Sequence, residues 1–205
     1  MSRIGKEEIL KACTQGIKNS YEEYLEWSSD EWLWNAPEYL LTVNIAKELW
    51  KIEKDAKFIT LEDNVRATLK NADATIKGGI SDQARANGRS DIVFWWGKGT
   101  PRGIIEVKNA VYSKKHIDED LKRLYTVLEN ESDIEFGLTA FYVDRHLESG
   151  DAKSRVEERI NENLINAIKE EAEEKGFRVK EHYQEIATTK NDKDAAFGVA
   201  IMIYK

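Results

Sequence analysis

The sequence predicts a mixed α/β (α+β) fold in which a central mixed β-sheet is flanked by helices. Three observations predict it. Some segments repeat apolar residues at helical spacing, and others alternate apolar and polar residues as half-buried strands do. Across residues 36–143 these segments follow the order helix, strand, strand, strand, helix, strand.

The composition is that of an ordered protein with one substantial core. The chain has 205 residues, of which 41% are hydrophobic and 34% are charged. This length favours a single domain. We therefore predict one domain over residues 1–205, with an N-terminal helical extension at 1–34, a core at 35–145, and a C-terminal helix and two strands at 146–205.

The N-terminal part is predicted to contain three helices and one strand. The first helix covers residues 4–27, with Leu10, Cys13 and Ile17 on one side. The second runs from Asn35 and Pro37 to about residue 54, because Asn35 is a good N-cap and proline is tolerated in a first turn. A short strand at 57–61 and a helix at 64–71 follow.

A β-hairpin is predicted at residues 88–109, and regular elements continue to the end of the chain. A helix is expected at 116–130 and a buried strand at 136–143. A long charged helix then covers about 151–175, where Gly176 ends it. The last two strands are predicted at 177–187 and 195–204.

The hairpin carries three charged residues where a sheet is normally apolar. Asp91, Glu106 and Lys108 lie within runs of Ile, Val and Trp. Burying such charges is costly unless they pair or bind a metal ion. These three side chains are therefore the first candidates for chemistry.

A two-residue turn at Lys98 and Gly99 predicts how the two strands pair. In that register Asp91 faces Glu106 on one side of the sheet, with Cβ atoms about 5 Å apart. Strand side chains alternate, so Lys108 lies on the same side as Glu106. The turn-rich sequence 97–103 also allows a wider turn, and a slip of one residue would break this alignment.

Two neighbouring carboxylates repel each other when both are ionised. A shared proton or a divalent cation relieves the repulsion. Oxygen ligands suit Mg²⁺, Mn²⁺ or Ca²⁺. A lysine beside such an ion is able to orient a water or neutralise developing negative charge. This combination is typical of sites for metal-assisted hydrolysis of phosphodiesters.

Ser90-Asp91, followed by Glu106-Val107-Lys108 in the next strand, resembles the motif of the PD-(D/E)XK nuclease superfamily. The resemblance covers roughly residues 35–145 and implies a restriction endonuclease-like core of a helix, three antiparallel strands, a helix and a fourth strand. It implies Asp91 and Glu106 as ligands of Mg²⁺ (or Mn²⁺) and Lys108 as the catalytic lysine. Ser90 stands where the family name has proline.

Glu38 is a further candidate that the resemblance implies. Many members of the superfamily place a carboxylate on the first core helix close to the metal ion, and Glu38 is the natural match. The alternative is structural, because Glu38 lies three residues after Asn35 and would complete a capping box.

The charge distribution along the chain bears on nucleic-acid binding. The chain has a net charge of −7, but residues 64–116 contain ten Lys or Arg and only four acidic residues. A basic surface near the candidate site would bind phosphates, although a basic segment is not necessarily a basic surface. The predicted nucleic-acid contacts are Lys77, Arg85, Arg89, Lys114 and Lys115.

We therefore expect a Mg²⁺-dependent nuclease, with DNA as the favoured substrate. One alternative is an inactive module of the same fold that binds nucleic acid or a protein partner. Another is a nuclease subunit that needs a partner, and a homodimer is also open. Cys13 is the single cysteine, which indicates a reducing, cytoplasmic setting. No signal peptide or membrane span is expected.

Overall fold

The computed structural model describes residues 3–53, 57–74, 88–130 and 132–205. The helices are α1 (Lys6–Trp27), α2 (Glu38–Lys51), α3 (Val65–Asn71), α4 (Asp118–Glu129), α5 (Ala152–Glu158) and α6 (Asn166–Glu174). The strands are β1 (Lys57–Asn64), β2 (Arg89–Trp96), β3 (Pro101–Lys108), β4 (Phe136–His146), β5 (Arg178–Thr188) and β6 (Asp194–Tyr204).

The six strands form one mixed sheet in the order β1-β2-β3-β4-β6-β5. Strands β3 and β4 are parallel, and every other neighbouring pair is antiparallel. The connection between the parallel strands contains α4, as a crossover requires. The carboxyl ends of β3 and β4 therefore lie at the same edge of the sheet, which is where open α/β sheets commonly bind ligands.

Helices cover both faces of the sheet, as the sequence predicts. One face packs on α1 and α2, and its buried residues include Ile17, Ile45 and Val107. The other packs on α3 to α6, with Leu124 and Ile160 in its core. Because successive strand residues point to opposite faces, β3 contributes Ile105 to the first face.

Helix α1 packs closely on α2 and lies against the sheet. A Cβ atom at Gly16 would come within 2.5 Å of the Ile45 backbone, so glycine is what allows the two helices to approach. Ile9, Leu10 and Ile17 are fully buried. The segment predicted as an extension thus supplies a packed helix, while the predicted domain boundaries stay a prediction.

The hairpin has the predicted register but a different turn. Ile92 faces Ile105 and Val93 faces Ile104, which is the alignment that brings Asp91 across from Glu106. The turn is wider than two residues, because the Trp96 N–H donates to the Thr100 carbonyl. One extra residue in β3, beside the Phe94–Trp95 step, is a β-bulge that restores the register.

Most predicted elements are found within a few residues of their expected bounds. The long C-terminal helix contains a π-helical segment, Arg159–Ile165, between α5 and α6. Gly176 follows that helix with a positive φ of 78°, as its role in ending the helix requires. The prediction that Asn35 caps α2 is wrong. Pro37 occupies the N-cap position, and the Asn35 amide donates to Glu31 instead.

Candidate functional site

The three charged hairpin residues lie where four elements meet. Asp91 is near the start of β2, and Glu106 and Lys108 are at the end of β3. The first residue of α2, Glu38, and the first turn of α4, which contains Asp120, close the site from the two sides. The site therefore lies at the carboxyl end of β3, where Lys108 pairs with Phe141 and the parallel strand β4 continues to His146.

The Asp91 side chain bonds to β3 at the place where the backbones of β2 and β3 stop pairing. Its Oδ2 accepts a hydrogen bond of 2.7 Å from the Val107 N–H. Burial raises the pKa of Asp91 to about 6, while this hydrogen bond lowers it and the charge of Glu38 adds to the rise. Asp91 therefore gives up its proton less readily than an exposed aspartate does.

Glu106 is almost completely buried and is paired with an arginine of α4. It is 1% exposed, and its Oε2 accepts a hydrogen bond of 2.5 Å from Arg123 Nη1. Burial raises the pKa of Glu106 to about 8, and Arg123 opposes that rise. The second carboxylate oxygen, Oε1, is buried and has no hydrogen-bond partner.

Lys108 lies between two carboxylates from opposite sides of the site. Its Nζ is 3.2 Å from Glu38 Oε1 and 3.6 Å from Asp120 Oδ2. Desolvation works to lower the pKa of Lys108, but Asp120 and Glu38 outweigh it, so the pKa is raised. Lys108 is therefore a cation at neutral pH, and it remains partly exposed.

Asn109 fixes the start of α2 against the site. Its side-chain amide donates to the carbonyls of Leu33 and Ala36, at 2.8 and 2.9 Å. Its backbone N–H donates to Glu38 Oε2 at 3.1 Å. Glu38 therefore faces the hairpin and does not form a capping box with Asn35. The structure brings Glu38 to Lys108, but its role as a metal ligand stays a prediction.

Carboxyl groups outnumber cationic groups at the site by four to two. Burial raises the pKa of Asp120, as it does for Asp91 and Glu106. Two buried oxygens, Glu106 Oε1 and Asp120 Oδ2, have no hydrogen-bond partner. The carboxylates are Glu38, Asp91, Glu106 and Asp120, and the cations are Lys108 and Arg123.

The carboxyl groups of the site offer oxygen donors, which hard divalent cations prefer. Among the described residues, no group of three His, Cys, Asp or Glu side chains is arranged to hold a metal ion. Mg²⁺ commonly takes only one or two carboxylates and completes its shell with water and substrate phosphate. Asp91 and Glu106 would supply two carboxylates, and Glu106 Oε1 is buried without a hydrogen-bond partner.

The predicted nucleic-acid contacts have different surroundings. Lys77 and Arg85 lie outside the described residues. Arg89 and Lys115 are exposed. Lys114 is held by Asp118 and Glu171 at 2.8 and 2.7 Å, so much of its charge is already neutralised within the protein.

Arg123 and Asp120 are site residues that the motif did not predict. They lie three residues apart on α4, and Arg123 Nη2 is 3.7 Å from Asp120 Oδ1. Both fall beside the apolar stripe of that helix, which includes Leu121 and Leu124. The sequence signal that could have identified them is their position beside the apolar stripe of a helix that packs on the sheet.

Comparison with known proteins finds no matching family model, no matching curated protein and no matching solved structure. The similarity of Asp91, Glu106 and Lys108 to the PD-(D/E)XK motif therefore stays a prediction from the sequence. Of the described residues, none belongs to a helix long and apolar enough to cross a membrane.

Proposed function

We propose that the protein is a metal-dependent nuclease that hydrolyses phosphodiester bonds, with DNA as the favoured substrate. The observation that carries this proposal is the buried Glu106 oxygen without a partner, beside Asp91 and the cationic Lys108. Buried carboxyl groups with raised pKa values are typical of functional sites.

Each residue has a distinct role in this proposal. Asp91 and Glu106 would hold Mg²⁺ or Mn²⁺, which supplies Lewis acidity toward phosphate and a more acidic water. Lys108 stays protonated, so it stabilises negative charge on the phosphate and does not act as the base. Glu38 and Asp120 hold the Lys108 ammonium in place, and Arg123 orients Glu106.

A second candidate is a module of the same fold that binds nucleic acid or a protein without cleaving it. The Arg123 ion pair with Glu106 favours this alternative, because it uses one carboxylate oxygen. Both Glu38 oxygens also bond to the protein itself. Glu38 would need to give up one of these two bonds before it held a metal ion.

Cleavage of plasmid and oligonucleotide substrates with Mg²⁺ or Mn²⁺ tests the proposal. We expect Lys108→Ala and Asp91→Ala each to lower the cleavage rate by about 100-fold or more, the scale of losing one preorganised charged group. Lys98→Ala is the matched control, because Lys98 is an exposed lysine in the turn of the same hairpin.

Activity that survives in both site variants would contradict the nuclease proposal. A wild-type protein that neither cleaves nor binds Mn²⁺, yet binds a nucleic acid or protein stably, would favour the second candidate. Metal binding without cleavage would instead point to a subunit that needs a partner.

A further inference from the structure

A cavity of about 500 Å³ lies beside the candidate site, at the carboxyl end of β4. Trp32, Trp34 and Tyr112 supply aromatic walls. The polar lining residues are Asp144, Arg145, His146, Arg159 and Asp194. A volume of this size suits one drug-sized molecule.

The cavity is joined to the candidate site by two short segments. Tyr112 comes four residues after Lys108, and Trp34 comes four residues before Glu38. Asn109 ties these segments together through its bonds to Leu33 and Ala36. Four residues span at most about 14 Å, so one extended strand of nucleic acid is able to reach both places.

The aromatic walls are partly fixed before any ligand binds. Tyr112 interacts with the Asp144 side chain on one side, and the Arg159 guanidinium lies 5.6 Å from its ring centroid on another. Trp32 packs edge-on against Tyr21, with ring centroids 5.8 Å apart. Trp34 is 52% exposed, so its ring remains open to a ligand.

Arg145 and Arg159 supply positive charge at the cavity, and Asp144 and Asp194 supply negative charge. Burial lowers the pKa of Arg159, the neighbouring charge of Arg145 lowers it further, and Tyr112 and Asp144 oppose the fall. A phosphate that reaches both guanidinium groups would accept charge-assisted hydrogen bonds from them. Arginine and an exposed aromatic ring together are the side chains that bind unpaired bases and their phosphates.

We propose that this cavity binds a nucleobase together with its adjacent phosphate, with the base against Trp34 and Tyr112 and the phosphate against Arg145 and Arg159. The inference rests on the proposed nuclease function and refines its substrate. A base must be unpaired to enter, so the substrate has a single-stranded or flipped-out nucleotide at the site. A free nucleoside monophosphate offers the same chemistry.

Binding without metal ions tests this proposal separately from cleavage. In EDTA, fluorescence anisotropy is measured with a labelled single-stranded oligonucleotide and with the corresponding blunt duplex, and calorimetry is measured with a nucleoside monophosphate. We expect the single strand to bind more tightly than the duplex. Trp34→Ala should weaken binding by about 10-fold or more, the scale of one lost stacking contact.

Two further variants separate stacking, charge and general surface effects. Arg145→Ala changes an exposed residue and should reduce the slope of log affinity against log salt by about 1. Trp50→Ala is the matched control, because Trp50 is 61% exposed on α2 and does not line the cavity. It should bind as the wild type does, and thermal melts check that all variants fold.

The outcomes distinguish the two proposals. Binding that depends on Trp34 supports the cavity assignment even if the protein cleaves nothing. Trp34-dependent binding of the monophosphate alone supports the same chemistry with a free nucleotide as the ligand. The cavity proposal would be overturned by equal affinity in wild type, Trp34→Ala and Arg145→Ala, or by tighter binding to the duplex than to the single strand. It would also be overturned if neither the single strand nor the monophosphate bound.

Discussion

The two ends of strand β3 both bury charge, but in opposite ways. Near the turn, Arg102 is 2% exposed, pairs with Glu135 at 3.1 Å and donates to the Ile4 carbonyl at 2.8 Å. Its guanidinium also lies 4.3 Å from the Trp96 ring centroid. At the other end, Glu106 is buried to the same degree and pairs with Arg123, but the carboxyl groups around it outnumber the cationic groups.

This difference teaches that a buried charge does not by itself mark a functional site. Arg102 pairs with a carboxylate, donates to a backbone carbonyl and packs on an aromatic ring. These contacts are those of a residue that stabilises the fold. The Glu106 end has more carboxylates than cations and keeps open acceptors. An excess of one charge with unfilled positions is what a bound ion or substrate would complete.

The largest effect on stability is expected at the Arg102 end. Arg102→Ala removes the buried member of the pair with Glu135, its hydrogen bond to the Ile4 carbonyl and its contact with Trp96, so we expect a loss of about 3 kcal/mol in the free energy of unfolding. Urea denaturation measures it. Lys122→Ala, which breaks an exposed pair with Glu119, should cost less than about 0.5 kcal/mol.

If Arg102→Ala lowered the free energy of unfolding no more than Lys122→Ala does, the interpretation of Arg102 as a structural anchor would be wrong. The two ends of β3 would then not differ in the way described.

A smaller effect of opposite sign is expected at Asp91. Its pKa of about 6 in the folded protein lies above the unfolded value, so ionising it costs stability as pH rises from about 4 to 6. Asp91→Asn keeps an acceptor for the Val107 N–H but removes the charge. Relative to wild type, the variant should gain on the order of 2 kcal/mol between pH 4 and pH 7.

Denaturation of both proteins across that pH range measures the difference. A difference that does not change with pH would show that Asp91 is not held in a costly ionised state.

The smallest effect is expected for Glu38→Gln. The Lys108 and Glu38 side chains are 31% and 39% exposed, so their ion pair should contribute less than about 1 kcal/mol to stability. The pKa of Lys108, measured by NMR, should fall because one of the charges that raise it is gone. A loss of 2 kcal/mol or more in the free energy of unfolding would show that Glu38 acts mainly in stability, by holding Asn109 in place.

Much of the fold was predictable because periodicity reports burial. The order of elements, the sheet flanked by helices and the hairpin register followed from apolar spacing and the position of the turn. The two-residue turn was wrong, and the wider turn that the sequence also allows is found. The bulge in β3, which keeps the predicted register despite the wider turn, was not predicted. The capping of α2 was also mispredicted, since Asn109, distant in sequence, bonds the segment before α2 and leaves Pro37 at the cap.

The candidate site was only partly predictable, because local sequence patterns indicate contacts within the hairpin but not contacts between distant segments. Strand alternation places Asp91, Glu106 and Lys108 together, because all three belong to one hairpin. The Arg123 partner comes from α4, and only tertiary packing brings that helix over β3. The cavity beside Trp34 and Tyr112 forms where five separate segments meet, which local sequence patterns do not encode.

Calorimetric titration with Mn²⁺ tests most directly whether the carboxylate-rich end of β3 is a metal site. The comparison uses wild type, Glu106→Gln and, as a control, Glu119→Gln, which changes an exposed carboxylate on α4. We predict that wild type and Glu119→Gln bind Mn²⁺ equally and that Glu106→Gln binds at least about 10-fold more weakly. Equal affinity in all three proteins, or no binding to wild type, would contradict this account.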